Sequence, residues 1–332
     1  MSVRPLSPDL SFHLGSSGTV SSLFFAFVFT LFSSFFGPSF FPLKTIPPII
    51  ASSKLIIFPF LFYIFRGQRY SFSVNSLSLP AVTTKNQSMN TSLLPAEKDP
   101  MGAAIADFYH RQKADRLRVF SSQFDEDEIP IKQLFRKAGQ MPLLERTALA
   151  MATGTILDVG AGSGCHALAL QESGKEVSAI DISPLSVEVM KLRGVKDARQ
   201  VNLFDERFAA TFDTILMLMN GSGIIGRLEN MPLFFRKMKQ LLRPDGCILM
   251  DSSDLRYLFE DEDGSFLIDL AGDYYGEIDF RMQYKDIQGD PFDWLYIDFQ
   301  TLSAYAADNG FKAEMIKEGK HYDYLARLTV AL

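Results

Sequence analysis

Asp158-Val159-Gly160-Ala161-Gly162-Ser163-Gly164 is the stretch that decides the fold of this chain. Before it runs a short apolar segment, residues 155–159 (TILDV), and after it residues 165–173 read as a helix. A buried strand, a glycine turn and a helix make the opening unit of a parallel α/β sheet. Glycines let the backbone turn sharply and pass close beneath a ligand, and the helix start offers free N–H groups. The spacing is G-x-G-x-G. Dinucleotide sites use G-x-G-x-x-G to bring backbone up to a pyrophosphate. Asp158, two residues ahead of the first glycine, suits a ligand with an ammonium group and would repel a pyrophosphate.

Working outward, strands and helices alternate. Residues 176–180 (EVSAI) form a second strand ended by Asp181, where a carboxylate can accept both hydroxyls of a ribose. A helix at 185–192 and a weak strand at 198–202 follow. Residues 212–219 are an apolar fourth strand, 231–242 a helix, and 247–251 a fifth strand after Arg243-Pro244-Asp245-Gly246. Near-continuous apolar strands alternating with helices imply a parallel sheet covered on both faces. After strand five the pattern changes to antiparallel strands at 265–270, 274–285 and 293–299, a helix at 301–309, and a closing strand pair at 312–318 and 322–330. Upstream, residues 101–120 read as an amphipathic helix, with short helices at 131–138 and 142–151.

With these motifs in place, residues 101–332 resemble the class I S-adenosylmethionine-dependent methyltransferases. The resemblance is carried by DVGAGSG (158–164), AIDIS (179–183), FDTIL (212–216), LLRPDG (241–246) and the strand pair 312–330. MNGSGIIG (219–226), DSSDLRYLFEDEDG (251–264) and HYDYLARL (321–328) are similar to a bacterial small-molecule subgroup. The resemblance implies a Rossmann-like seven-stranded α/β sheet, mostly parallel with a C-terminal antiparallel hairpin. N-terminal helices and a small antiparallel β insertion after strand five complete it. It implies S-adenosyl-L-methionine as cofactor and methyl transfer to a small-molecule N, O or C nucleophile. Gly160, Ala161, Gly162 and Gly164 would line the methionine part and ribose. Asp158 would lie near the amino group or order the loop, and Asp181 would bind the ribose. Ile182 would pack on adenine, and Asn202 and Leu203 would edge it. Asn202 stands where many relatives carry an acid. Asn220 would face the transferred methyl. No catalytic triad is expected, because the leaving group needs no protonation and alignment dominates. Asn220, His321 and Tyr322 are the catalytic candidates. Tyr109 and His110 on the first helix, and Arg136 for a methionine carboxylate, are further ligand candidates.

Composition narrows the partners. The 332 residues carry a net charge of −6, and a nucleic-acid binder would show a basic balance. Cys165 and Cys247 match no metal or disulfide framework, which points to a reducing, cytoplasmic setting. Residues 1–88 stand apart, with Asp9 as the single acid and 15 of the 30 phenylalanines. Their apolar runs at 20–41 and 46–65 approach the length of a membrane span, yet prolines break them. An anchor through residues 20–65, an organellar targeting peptide, and a mis-annotated start ahead of Met89 all remain open. The expected organisation is this segment, a helical cap at 89–152, and a methyltransferase domain at 153–332 whose insertion at 254–299 covers the acceptor. The acids at 251–263 and the tyrosines nearby would suit a cationic or flat aromatic acceptor. Aminopropyl transfer on the same fold, an NAD oxidoreductase and a non-catalytic interaction protein are the rival readings.

Overall fold

The computed structural model describes residues 91–260 and 273–331. The readings of residues 1–88, the strand expected at 265–270 and the acids Asp261, Glu262 and Asp263 lie outside the described residues. No helix among the described residues is long and apolar enough to cross a membrane.

In chain order the longer elements are α1 (Pro100–Arg111), β1 (Leu117–Phe120), β2 (Asp127–Ile129) and α2 (Leu143–Met151). Next come β3 (Thr155–Val159), α3 (Cys165–Glu172), β4 (Glu176–Asp181), α4 (Pro184–Leu192), β5 (Ala198–Gln200) and β6 (Phe212–Met217). Then follow α5 (Met231–Leu241), β7 (Leu242–Ser253), β8 (Glu277–Tyr284), β9 (Ile287–Gln288) and β10 (Phe292–Leu295). The last three are α6 (Phe299–Asp308), β11 (Phe311–Glu318) and β12 (Asp323–Val330).

The main sheet has seven strands in the order β11-β12-β7-β6-β3-β4-β5. β7, β6, β3, β4 and β5 run parallel, and β12 lies antiparallel between β7 and β11. Side chains alternate across each strand. Leu157, Ile180, Ile215 and Ile248 therefore join Phe234, Phe235 and Leu302 of α5 and α6 in one core. Ile156, Ala179, Leu216 and Leu249 join Leu149, Leu170 and Val187 of α2, α3 and α4 in the other. Two such cores, one on each face, are why these strands read as continuous apolar runs.

The second sheet corrects the expectation of an all-helical cap. The helix anticipated over 101–120 stops at Arg111, and Leu117–Phe120 is a strand. β1 pairs antiparallel with both β2 and β8, and β8 pairs with β10, so the N-terminal segment and the insertion share one sheet. Leu117 and Tyr284 are fully covered by that partnership. Tertiary pairing overrides the helical pattern here. The helix expected at 131–138 is a single 3-10 turn, Ile131–Phe135.

α1 starts where the sequence allows. Asp99 accepts a hydrogen bond from Gly102 N at 2.7 Å, with Pro100 in the first turn. Asp99 also accepts from Ser183 Oγ, which itself caps α4 by accepting from Ser186 N. One buried carboxylate thus joins two helix starts. A Cβ on Gly102 would stand 2.1 Å from Asp99 Oδ2, so the position tolerates no side chain.

Candidate active site

The strand order reverses between β3 and β6, and an open parallel sheet receives ligand at the carboxyl edge of such a point. Counting on by two from Ile156, Ala179 and Leu249 places Asp158, Asp181 and Asp251 on one face, the face of α2, α3 and α4. Three carboxylates thus stand at the ends of β3, β4 and β7 around the crevice.

β4 holds the glycine loop. Gly160 N and Ala161 N donate to the Ile180 carbonyl at 2.9 and 3.1 Å. Gly162 N donates to Asp181 Oδ2 at 2.8 Å, and Ser183 N donates to Asp181 Oδ1 at 2.9 Å. Gly164 has φ of 82°, and a Cβ there would come within 2.9 Å of Met190 and Val195. Nothing lies within 4 Å of the corresponding point on Gly162, so the loop stays open on that side. Burial pushes Asp181 up to about 6 even though two N–H groups favour its charged form.

Asp158 is fully buried, and its Oδ2 has no hydrogen-bond partner. Burial raises its pKa, opposed by the charge of His166. Next to it lies a buried ionic chain. Arg136 Nη2 donates to Glu145 Oε1, and Glu145 Oε2 lies 2.7 Å from His166 Nε2. Burial disfavours a charged His166, but the bond to Glu145 and the charge of Asp158 outweigh it and raise its pKa. Sequence reasoning missed Glu145 and His166, because a polar residue inside a short apolar helix carries no periodic signal.

Asp251 lies two residues before the end of β7, as Asp181 closes β4. Its carboxylate accepts from Met219 N and Gly221 N, both at 3.1 Å, and burial pushes it up to about 6. Its place at a strand end was legible, but the sequence reading counted it only among the acids of 251–263. Met219 and Asn220, with φ of 68° and 57°, are consecutive left-handed residues at the end of β6. Non-glycine residues adopt that conformation only when their surroundings enforce it. The bonds from Asp251 and the one from Ser253 Oγ to Asn220 Oδ1, 2.8 Å, do so.

The remaining candidates divide. Ile182 presents an exposed side chain beside Asp181, whereas the Leu203 side chain is buried in the core, leaving only its backbone for a ligand. Asn202 is engaged at both ends: its Nδ2 donates to Ser92 O at 3.1 Å and its Oδ1 accepts from Phe204 N at 3.0 Å. Ser92–Asn202, together with Leu94 N donating to Ile182 O at 3.1 Å, lays the irregular segment of residues 92–94 along the tips of β4 and β5. Tyr109 turns away, donating to Leu192 O at 3.2 Å, and His110 is exposed. Arg136 is committed to Glu145. Tyr322, in the β11–β12 turn, stacks on Tyr257 with centroids 5.4 Å apart and 18° between planes. His321 is half-buried next to it, its N donating to Asp323 Oδ1 at 2.8 Å. A hollow of about 320 Å³ lined by Gly139, Arg146, Leu149 and Lys175 lies at the opposite, amino edge of the sheet. No group of residues fit to hold a metal occurs among the described residues.

Comparison with known proteins agrees with this geometry. A family model described as a methyltransferase domain matches residues 157–250. A solved S-adenosylmethionine-dependent methyltransferase from Bacteroides fragilis, in complex with S-adenosyl-L-homocysteine, is 96% identical. The match covers 74% of this chain and 100% of that one, with a TM-score of 0.70. The chain therefore belongs to the S-adenosylmethionine-dependent methyltransferases. Among curated relatives, the cypemycin N-terminal methyltransferase of a Streptomyces species is 32% identical over 103 residues. That match covers 30% of this chain and 42% of the relative, so the chain spans less than half of that protein. An uncharacterized methyltransferase of Staphylococcus carnosus is 27% identical, covering 54% of this chain and 79% of its own.

Proposed function

We propose that this enzyme transfers a methyl group from S-adenosyl-L-methionine to a small-molecule nucleophile in the crevice between β3 and β6. The observation that carries this is the set of Asp158, Asp181 and Asp251 on one sheet face around an open glycine loop. Like charges gathered in partial burial are costly, and a cationic ligand relieves that cost. Asp158, buried with an oxygen lacking any hydrogen bond, fits the ammonium end of a methionine moiety. Asp181, beside the loop, fits a ribose, and exposed Ile182 fits the face of a base. Gly160, Ala161, Gly162 and Gly164 keep side chains out of the path between them.

When bound, the cofactor supplies an electrophilic sulfonium methyl. The chain's own work is to align and desolvate the nucleophile. Asn220, held left-handed at the end of β6, faces the crevice beside Asp251, which lies near enough to neutral pH to take a proton from an incoming acceptor. In our reading the transfer takes place in the cytoplasm, consistent with two free cysteines. Of the six acids on which a reading of aminopropyl transfer rests, Asp261, Glu262 and Asp263 lie outside the described residues.

Calorimetric titration of S-adenosyl-L-methionine, S-adenosyl-L-homocysteine and NAD tests the reading. The first two should bind with dissociation constants on the order of micromolar, and NAD should not bind. Asp181→Ala should weaken both by about a hundredfold, the cost of losing charge-assisted bonds. A folded protein that binds neither ligand would refute the assignment.

A further inference from the structure

On the acceptor side of the crevice, three tyrosines from distant parts of the chain stand together. Tyr257 belongs to the 3-10 turn Leu255–Phe259 after β7, Tyr296 follows β10, and Tyr322 lies in the β11–β12 turn. Tyr257 and Tyr322 are stacked. Leu295 and Ile297 are both wholly buried in the main core, so Tyr296 between them points the other way, towards Phe280 and the insertion sheet. Its hydroxyl makes no hydrogen bond among the described residues, and burial pushes it up to about 12, so it stays a neutral donor. Tyr257 lies close enough to Tyr296 to influence that ionisation.

This group is tied to the reacting edge. Ser253 bonds Asn220, the next residue Asp254 donates its N–H to Tyr322 O at 2.9 Å, and Tyr275 OH donates to Asp254 Oδ1 at 2.8 Å. The charge around the rings is mostly negative. Tyr322 feels Glu260 and Asp254 against Arg256, and Arg256 is itself paired with Asp254 at 2.6 Å. Aromatic faces next to carboxylates attract cations and repel phenolates and carboxylates.

We propose that the methyl acceptor is a primary or secondary amine, received as its ammonium ion on the outer face of the Tyr257–Tyr322 stack with the Tyr296 hydroxyl and Asp254 beside it. The inference rests on the methyl-transfer reading above. An alcohol would have to lose its proton as it reacts, and carboxylates are weak bases for that task. An amine needs only its neutral form. Its proton leaves to Asp251 or to water before attack. The nitrogen lone pair then forms the N–C bond, and the C–S bonding pair departs with sulfur as a thioether. The positive charge passes from sulfur to nitrogen, and the product is again an ammonium ion.

The test uses the full chain saturated with S-adenosyl-L-homocysteine. Benzyltrimethylammonium, phenylacetate and 4-ethylphenol are each titrated by calorimetry. The cation should bind best. Tyr257→Ala and Tyr322→Ala should weaken it about tenfold, while Tyr257→Phe, which keeps the ring face, should hold it within about threefold. S-adenosyl-L-homocysteine affinity should be unchanged in all three variants, which separates an acceptor role from misfolding. Tighter binding of the phenol or the carboxylate, failure of the cation to bind, or equal loss in Tyr257→Phe and Tyr257→Ala would overturn the proposal. Failure of S-adenosyl-L-homocysteine itself to bind would instead refute the underlying reading.

Discussion

Under the proposed function the crevice has a nucleoside half and an acceptor half, and the two are built in different ways. The nucleoside half is local: residues 158–164 and 179–183 supply loop, carboxylate and helix start within two consecutive strand–helix units, joined by hydrogen bonds such as Gly162 N to Asp181. The acceptor half is assembled from afar. Asn220, Asp251, Tyr257, Tyr296 and Tyr322 come from five separate places in the chain and meet only because β10 and the β11–β12 turn pack against the ends of β6 and β7. A locally built site can be shared across a superfamily. A site assembled from insertions is free to vary with its substrate.

The sharpest way to break the nucleoside half is through its buried support. Glu145→Ala would leave Arg136 and His166 facing each other without their shared carboxylate, a loss of about 3–5 kcal/mol. Chemical denaturation should show the midpoint falling, and an unchanged midpoint would mean water already serves those cations. Gly223→Ala probes the acceptor half. A Cβ there would fall 1.8 Å from the Trp294 indole, so the ring must move, at about 1–3 kcal/mol of overpacking. Acceptor turnover should drop severalfold while S-adenosyl-L-homocysteine affinity is kept. Loss of both together would show the halves to be mechanically coupled.

Acidity separates stability from binding. Asp181 has its pKa raised from 3.8 to about 6 in the folded chain, so its contribution to stability is greatest below about pH 4 and is lost as pH rises through about 6. Ribose binding by Asp181, as proposed, would need the carboxylate and so has the opposite sign. S-adenosyl-L-homocysteine affinity should fall about fivefold between pH 6 and 5, and Asp181→Asn should flatten that dependence. A wild-type profile as flat as that of the variant would remove Asp181 from the ligand. The smallest effect is expected at Asn202. Asn202→Ala removes the bonds to Ser92 and Phe204 and should cost about 1 kcal/mol, with cofactor affinity reduced a few-fold through the loosened segment 92–94. A hundredfold loss there would mean direct contact with the base.

Sequence alone determined the parallel sheet, its strand–helix alternation, the glycine loop and Asp181, because these depend on near neighbours and on a burial pattern repeated along the chain. The positions of Ile182 and Asn220 just beyond strand ends were legible for the same reason. Tertiary structure alone decided the rest. Residues 117–120 became a strand because β8 offered them a pairing edge. Asn202 became an anchor for the segment 92–94 because Ser92 arrived beside it. Glu145 and His166 became an ionic pair because α2 and α3 buried both against the same strand face. Contacts between segments that distant leave no periodic trace in a single chain, since each partner's local pattern is satisfied without the other.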